Sequence, residues 1–219
     1  MNKKVYQIAI DGPGGSGKSS VATTVANKLN FLFINTGGMY RCFAIALKNI
    51  DLSNIDLIVE TLNKNIVTLK EDKLFLNNID VTNECYTPGI AMLASKIGTI
   101  KKVRKHCVKS QQQIASGENC VMEGRDTTTV VLPNATLKIY LTASLQERAK
   151  RRWLQNNMKD SFENVMEDLK KRDNQDMNRK VDPLRRADDA IELNTDHLSF
   201  NQVVTKIIEL FNNKVKEIE

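Results

Sequence analysis

The sequence has few aromatic residues, two histidines and no apolar run that approaches the length of a membrane span. Aromatic residues make up 5% of the chain and no basic stretch is interleaved with them, so a nucleic-acid surface built on stacked rings is disfavoured. Lys3 and Lys4 lead directly into an apolar strand, which is unlike a signal peptide. We therefore expect a cytoplasmic protein that binds neither membrane nor nucleic acid.

Cysteine is also sparse, and its positions have no paired spacing. The cysteines lie far apart, at Cys42, Cys85, Cys107 and Cys120. With only two histidines to join them, the pattern predicts neither a zinc site nor a disulfide framework. Reduced thiols are the simpler interpretation.

Positive charge is in excess, with a formal net charge of +6 and a pI near 9.1. A nucleic-acid partner could explain this charge, and an enzyme with polyanionic substrates explains it equally well. The length of 219 residues suits one α/β core with small attached lobes.

A glycine-rich segment follows the first apolar run, where residues 8–20 read IAIDGPGGSGKSS. Gly12, four residues, Gly17, Lys18 and Ser19 match the P-loop, in which backbone N–H groups turn toward polyphosphate oxygens. A strand pattern precedes the motif and helical spacing follows it, whereas the alternative is a glycine-rich turn before an ordinary helix. We expect Lys18 to reach the β and γ phosphates and Ser19 to bind Mg²⁺. The residues assigned to ATP are Gly12, Pro13, Gly14, Gly15, Ser16, Gly17, Lys18, Ser19 and Ser20.

Apolar segments alternate with helical patterns along the chain, which predicts a doubly wound parallel sheet. The predicted strands lie near 5–10, 31–34, 119–123, 137–142 and 189–193. Ligands of such sheets bind at the carboxyl ends of the strands. Two segments at these ends carry arginine: NTGGMYR at 35–41 and MEGRD at 122–126. An isolated arginine is usually a surface residue, but this position favours a site.

Helix starts are predicted by capping boxes at Ser144 with Glu147, Asp160 with Glu163, Ser199 with Gln202 and, in a short helix, Ser53 with Asp56. Pro88 suits the first turn of another helix. Residues 66–82, IVTLKEDKLFLNNIDVT, alternate around the turn-forming KED and NN, which predicts an antiparallel meander. The meander forms either a lobe beside the active site or a hairpin without a role.

In chain order, several segments resemble the bacterial-type cytidylate kinase family: GPGGSGKSS, TGGMYR, ASKIGTIKKVRKHCVKSQQQIA, MEGRDTTTVVLPNATLKIYLTAS, ERAKRR, KKRDNQDMNR and PLRRADDAIEL. The resemblance spans nearly the whole chain. EGRD followed by TVVLP, and the RDxxDxNR pattern at 172–179, are more specific than a P-loop. The meander is also similar to an extra lobe of that family.

The resemblance implies an α/β P-loop NTPase fold: a five-stranded parallel sheet flanked by helices, a small NMP-binding lobe with an antiparallel β insert, and a short helical lid. It implies transfer of the ATP γ-phosphoryl group to CMP or dCMP with Mg²⁺, by a monomer. The domains that we expect are a core of 1–35, 116–145 and 181–219, an NMP-binding lobe of 36–115 and a lid region of 146–180.

The resemblance also implies roles for the acceptor side. The acceptor phosphate is expected on Arg41, Arg125 and Arg179, and the ribose on Arg172 and Asp176. The base is expected on Ser95, Arg104 and Asp126, and Thr36 completes the set of CMP-binding residues. From the sequence alone, Ser95 would be a helix-surface serine and Arg104 one of many basic residues.

Arg148, Arg151 and Arg152 lie at one-turn spacing in SLQERAKRRW. Such a run is usually a solvated basic face, but the resemblance implies a lid whose arginines close over ATP and exclude water. The residues expected to act in catalysis are therefore Lys18, Arg125, Arg179, Arg148 and Arg151.

The sequence departs from the family pattern at some positions. Thr127 and Thr128 stand where an apolar residue and a glycine are expected, and they add bulk beside the base and phosphate pocket. Gln112 stands where arginine is common. Rival interpretations are another P-loop kinase acting on UMP, dTMP or shikimate, a nucleic-acid-binding protein, and a GTP-dependent switch. The last is disfavoured because the chain has no guanine-reading NKxD.

Overall fold

A computed structural model describes residues 4–70 and 73–218. Over these residues the chain forms two compact units: one runs up to Leu32 and resumes from Gly117 onward, and the other is Phe33–Ser116. None of the helices in the described part of the chain is both long and apolar enough to cross a bilayer.

The described residues contain a five-stranded sheet. Its strands are β1 (Gln7–Asp11), β2 (Leu32–Asn35), β6 (Cys120–Gly124), β7 (Leu137–Thr142) and β8 (Ile191–Asn194), in the order β2-β6-β1-β7-β8. β1 pairs in parallel with β6 and β7, and β7 pairs in parallel with β8. Ile8 and Ile10 of β1 are fully buried. A parallel strand that is covered on both faces needs apolar side chains on each of them. The predicted fold class and strands are confirmed, with strand ends displaced by at most two residues.

Helices of the first unit are α1 (Lys18–Leu29), α7 (Leu145–Gln155), α8 (Phe162–Asn178) and α9 (Phe200–Ile218). α1 packs against β6 and α9, and α7 packs against α8. An apolar cluster that includes Ala149, Val165 and Leu169 holds α7 and α8 together. A π-helical segment, Thr127–Val131, follows β6 and was not predicted.

The second unit contains helices α2 (Thr36–Ala46), α3 (Ile55–Asn63), α4 (Thr82–Cys85), α5 (Pro88–Ile97) and α6 (Lys101–Ala115). Within residues 33–70 and 73–116 there is also a three-stranded antiparallel sheet of β3 (Val67–Lys70), β4 (Lys73–Leu76) and β5 (Ile79–Asp80). Asn77 and Asn78 turn between β4 and β5 with positive φ. The predicted meander is confirmed. Of its KED turn, Glu71 and Asp72 lie outside the described residues.

Two of the predicted helix starts are confirmed, although the Ser144 N–H donates to Asp196 rather than to the Glu147 side chain. The Ser144 hydroxyl accepts from the Glu147 N–H, and Ser199 exchanges bonds with Gln202 in both directions. Pro88 is the first residue of α5, as predicted.

The other two capping predictions were each wrong by one residue. α8 is capped by Ser161, whose hydroxyl accepts from Asn164, so Asp160 is outside the helix. α3 is capped by Asn54 rather than by Ser53, because the Asn54 side chain accepts from the Leu57 N–H. In both cases a neighbouring residue with an equally good acceptor takes the cap.

All four cysteines lie among the described residues and are buried, and they form no disulfide there. In the second unit, Sγ of Cys42 on α2 and Sγ of Cys85 on α4 lie 3.7 Å apart. This separation is that of a thiol hydrogen bond between two packed helices.

Candidate active site

The P-loop connects the end of β1 at Asp11 to the start of α1 at Lys18. A Cβ atom at Gly12 would lie 2.0 Å from the carbonyl oxygen of Leu141, so the neighbouring strand leaves no room for a side chain. Gly17 has a φ of 87°, in the left-handed region that favours glycine. The predicted strand, loop and helix arrangement is confirmed, and its backbone depends on these glycines.

Lys18 is folded back over the loop. Its Nζ donates to the Pro13 carbonyl oxygen at 2.7 Å and to Ser16 Oγ at 3.3 Å, and the residue is 5% exposed. Burial, with the positive charge of Arg125 acting in the same direction, lowers the pKa of Lys18 to about 7. The ammonium group is therefore poorly compensated where it lies, and an anion near the loop would stabilise it.

Ser19 faces an acidic residue that the sequence analysis did not identify. Its Oγ donates to Glu123 Oε1 at 2.8 Å, and Glu123 is buried at the carboxyl end of β6. Its signals in the sequence were its place in the EGRD segment and its position at the end of an apolar strand. Among residues 4–70 and 73–218 there is no cluster of three or more His, Cys, Asp or Glu that could bind a metal by itself. The hard oxygens of Ser19 and Glu123 suit Mg²⁺ that is held mainly by phosphate.

Both backbone polar groups of Gly14 in the P-loop form hydrogen bonds to side chains. Its N–H donates to Asp173 Oδ1 at 2.8 Å, and its carbonyl oxygen accepts from Arg148 Nη1, also at 2.8 Å. Arg148 Nη1 and Asp173 Oδ2 form an ion pair at 2.5 Å, and both side chains are buried. α7 and α8 thus both contact the loop.

Asp11 fixes the segment after β6. This fully buried carboxylate accepts from the N–H groups of Thr127 (2.9 Å) and Thr128 (2.6 Å) and from the Thr128 hydroxyl (2.7 Å). Burial raises the pKa of Asp11, and these donors oppose the rise. Thr128, one of the two departures from the family pattern, therefore has a structural partner. Thr127 Oγ1 is buried and has none among the described residues.

Residues of the EGRD segment form two arginine–aspartate pairs with residues of the RDxxDxNR segment. Arg125 Nε lies 2.8 Å from Asp176 Oδ2, and Arg179 Nη2 lies 3.2 Å from Asp126 Oδ1. Arg179 Nη1 is also 3.8 Å from Asp176 Oδ1. The first unit therefore brings together residues 53 positions apart in the chain that were predicted to bind one nucleotide. Arg172, one helical turn before Asp176, is exposed.

The predicted lid arginines differ in their surroundings. Arg148 is buried, whereas Arg152 is exposed and donates to Gln155. Arg151 donates from Nε to Glu147 and from Nη1 and Nη2 to the hydroxyl and carbonyl oxygens of Thr195. Arg148 Nη2 has no hydrogen bond to any residue that the structure describes, although Nε and Nη1 are both engaged.

The remaining predicted residues belong to the second unit. Thr36 is buried at the start of α2, and the Arg41 guanidinium lies 5.1 Å from the centre of the Tyr86 ring. Ser95 is partly buried on α5. Arg104 on α6 is 1% exposed and donates to the Gly98 carbonyl oxygen at 3.3 Å, so it is not an ordinary surface arginine. Gln112 is exposed on the same helix.

A sequence profile of the cytidylate kinase family matches residues 8–213. The chain belongs to the cytidylate kinase family. It is 41% identical to a cytidylate kinase of Caldicellulosiruptor bescii, over 97% of this chain and 98% of that protein. The predicted family is confirmed.

The cytidylate kinase family also occurs in longer proteins. The chain is 45% identical to a bifunctional pantoate ligase/cytidylate kinase of Prochlorococcus marinus (strain AS9601), over 97% of this chain. It spans only 44% of the length of that relative. A crystal structure of an uncharacterized protein from Eubacterium ventriosum is similar in fold, with a TM-score of 0.56 and 14% identity over 96% of this chain and 99% of that one.

Proposed function

We propose that this cytidylate kinase family member transfers the γ-phosphoryl group of ATP to CMP or dCMP, giving ADP and CDP or dCDP. The observation that carries the proposal is that one family match, over 8–213, includes both the P-loop and the Arg125–Asp126 segment. The P-loop is suited to the donor, and the arginine–aspartate pairs are suited to a nucleoside monophosphate. Phosphoryl transfer needs both polyanions held in line, so positioning and cations account for most of the catalysis.

On the donor side, residues 12–20 would hold the phosphates of ATP. Lys18 would turn from the Pro13 carbonyl oxygen toward the β and γ phosphates, because an ammonium group gains more from a polyanion than from a neutral carbonyl. We propose that Ser19 and Glu123 hold Mg²⁺ together with the phosphates. When bound, this ion neutralises charge that develops on the phosphate oxygens.

On the acceptor side, Arg125 and Arg179 would bind the phosphate of CMP, since a planar guanidinium can pair two oxygens at once. Asp176 contacts both arginines and Asp126 pairs with Arg179, so the carboxylates hold the guanidinium groups in fixed orientations. Arg172 and Asp176 would contact the ribose. The resemblance to the family also assigns Thr36, Arg41, Ser95 and Arg104 to CMP binding.

Asp126 would set the preference for cytosine. Cytosine has an exocyclic amine that donates, whereas uracil has a carbonyl oxygen at that position. A carboxylate that faces the uracil oxygen leaves both acceptors without a donor, which costs roughly 1–3 kcal/mol or more. UMP should therefore be the poorer substrate.

Neither a catalytic histidine nor another general base is needed, because the acceptor phosphate is already mostly ionised near neutral pH. Exclusion of water is needed instead, so that the phosphoryl group does not pass to water. We keep both Arg148 and Arg151 in the proposed lid. Arg148 is the better candidate to reach a phosphate, because its Nη2 is the nitrogen left without a described partner, whereas Arg151 is fully engaged with Glu147 and Thr195.

We further propose that the chain acts as a monomer in the cytoplasm, without a membrane or nucleic-acid partner. This rests on the resemblance to the family and on the shortage of aromatic residues among the basic ones. Sedimentation of the purified chain with and without a DNA or RNA oligonucleotide tests the monomeric state and the lack of a nucleic-acid partner. A dimer, or co-sedimentation that weakens with salt, would contradict them.

An ADP-release assay with MgATP and a panel of acceptors tests the function. The panel is CMP, dCMP, UMP, AMP, dTMP and shikimate. We expect CMP or dCMP to give the highest kcat/KM, with every other acceptor about 10-fold or more lower. A faster reaction with UMP, dTMP, AMP or shikimate would assign the chain to another P-loop kinase activity.

A further inference from the structure

We propose that Asp173 is a positioning residue for phosphoryl transfer, which with Arg148 fixes the Gly14 peptide groups of the P-loop. The proposal rests on the function proposed above and adds a residue to which the sequence analysis gave no role. Asp173 lies on α8 between Arg172 and Asp176 but faces the donor loop, to which its Oδ1 is bonded through the Gly14 N–H.

Three contacts hold the Gly14 peptide groups in place. Gly14 gives its N–H to Asp173 and its carbonyl oxygen to Arg148, and the two side chains pair with each other. A Cβ atom at Gly14 would lie 3.2 Å from Leu169 Cδ2 and 3.4 Å from Asp173 Oδ1, so α8 packs closely against the loop. Rotation of the Gly14 peptide groups would break these bonds in a buried setting, where unpaired groups are costly.

Because the Asp173–Arg148 pair is buried, loss of one partner costs more free energy than it would in a surface ion pair. Asp173 is 6% and Arg148 8% exposed, and Arg148 Nε also donates to the Ala143 carbonyl oxygen. Loss of Asp173 would leave the Arg148 guanidinium buried with a reduced set of partners and the Gly14 N–H without its acceptor. Both effects act on the loop that is proposed to bind the ATP phosphates.

α8 also links the contacts of Gly14 with Arg148 and Asp173 to the acceptor residues. Asp173 and Asp176 are three positions apart on α8, so they lie on one face of the helix. Asp173 holds the P-loop, and Asp176 holds Arg125 at 2.8 Å. We infer that one face of α8 sets the donor loop and one acceptor arginine together, as in-line transfer requires.

The test compares two substitutions at Asp173 with a matched control. Asp173→Ala removes both the acceptor for Gly14 and the partner of Arg148, whereas Asp173→Asn keeps an oxygen for the Gly14 N–H and removes the charge. Asp168→Asn changes an exposed carboxylate on the same helix. For each variant, calorimetry gives the Kd of β,γ-imido-ATP without acceptor. Steady-state assays give kcat and the two KM values, and thermal unfolding gives Tm.

In Asp173→Ala we expect affinity for the ATP analogue and kcat to fall by roughly 10- to 100-fold, because a buried charge-assisted bond is lost. KM for CMP should change less than about threefold, since Asp176 and Asp126 still hold Arg125 and Arg179. Asp173→Asn should lose less than Asp173→Ala, and Asp168→Asn should match the wild type.

A purely structural ion pair would lower Tm but leave the analogue Kd and the kcat of the folded molecules unchanged, and that result would overturn the proposal. If Asp173→Ala does not fold, Asp173→Asn decides by the same criterion. Analogue binding needs no CMP, so the role of Asp173 is tested even in a chain that leaves CMP unphosphorylated. Failure of the proposed function would instead appear as a wild-type chain that does not phosphorylate CMP.

Discussion

The Thr128 hydroxyl lies 2.7 Å from the carboxylate of Asp11, although 117 positions separate the two residues in the chain. Asp11 ends the strand that leads into the P-loop, and Thr128 follows the Arg125–Asp126 pair by two residues. Their contact therefore joins the donor loop to the segment proposed to read the acceptor. It also gives a structural reason for a threonine where the family pattern predicts another residue.

The two threonines should respond differently to loss of the hydroxyl group. Thr128→Val leaves the buried Asp11 carboxylate short of a donor and should lower the free energy of unfolding by about 1–3 kcal/mol. Thr127→Val should be neutral or stabilising, because the Thr127 hydroxyl is buried without a partner among the described residues. Denaturant unfolding of both variants measures the difference, and equal losses would contradict the assignment.

The sheet could be predicted because buried parallel strands are continuous apolar runs, as in 137–142, where the prediction and the strand coincide. The π-helical segment Thr127–Val131 could not be predicted in this way. TTTVV is rich in β-branched residues with low helix propensity, and its first N–H groups are bound by Asp11 from 116 and 117 positions away. Tertiary hydrogen bonds decide this structure, and no local pattern contains them.

The candidate site was predictable where family motifs carry it, and less so elsewhere. Lys18, Arg125 and Asp126 are in recognisable motifs. Glu123 and Asp173 fall inside the EGRD and RDxxDxNR segments, but nothing in the sequence assigned a role to either residue. Their importance depends on contacts with Ser19 and Gly14, which are 104 and 159 positions away.

The lowered pKa of Lys18 predicts proton uptake when ATP binds. With a pKa of about 7, much of the Lys18 amine is neutral above pH 7 in the ligand-free chain. Phosphate oxygens favour the ammonium form, so at about pH 8.5 ATP binding should take up close to one proton per site, and near pH 6 almost none. Calorimetry without acceptor, in two buffers of different ionisation enthalpy, measures this number. Uptake that does not change with pH would contradict the prediction.

Lys18→Met removes the titrating amine and is the control for proton uptake. The pH dependence of its stability relative to the wild type also has a predicted direction. Because the folded pKa is below the unfolded value of 10.5, the unfolded chain binds more protons between about pH 7 and 10.5. The contribution of Lys18 to stability is therefore least favourable below pH 7 and improves as pH rises through this window. The Tm of Lys18→Met relative to the wild type should decrease from pH 6 to pH 9, and an increase would be the wrong sign.

Glu123→Gln should weaken the use of Mg²⁺. The substituted amide would still accept from Ser19 but would carry no negative charge, so the Mg²⁺ concentration for half-maximal activity should rise by about 10-fold. Glu118→Gln, which changes an exposed residue two positions before β6, is the control. A Mg²⁺ titration at fixed ATP distinguishes the two, and an identical requirement in both variants would remove Glu123 from the proposed metal site.

Asp126→Ala should reduce selectivity for the base. We expect KM for CMP to rise by about 10-fold or more and the preference for CMP over UMP to fall by a similar factor, while ATP binding is unchanged. Part of the rise in KM follows from Arg179, which loses its partner at 3.2 Å. Competition assays with both nucleotides give the ratio directly, and Asp188→Asn at an exposed position is the control. Unchanged selectivity would rule out Asp126 as the residue that reads the base.

The most direct measurement follows both products of one reaction. The purified chain is incubated with Mg²⁺, CMP and ATP labelled in the γ-phosphoryl group, and the nucleotides are separated by anion exchange. We predict CDP that carries the label, formed in equal amount to ADP, and the same result with dCMP. ADP without labelled CDP, or no ADP with either cytosine nucleotide, would contradict the proposed phosphoryl transfer.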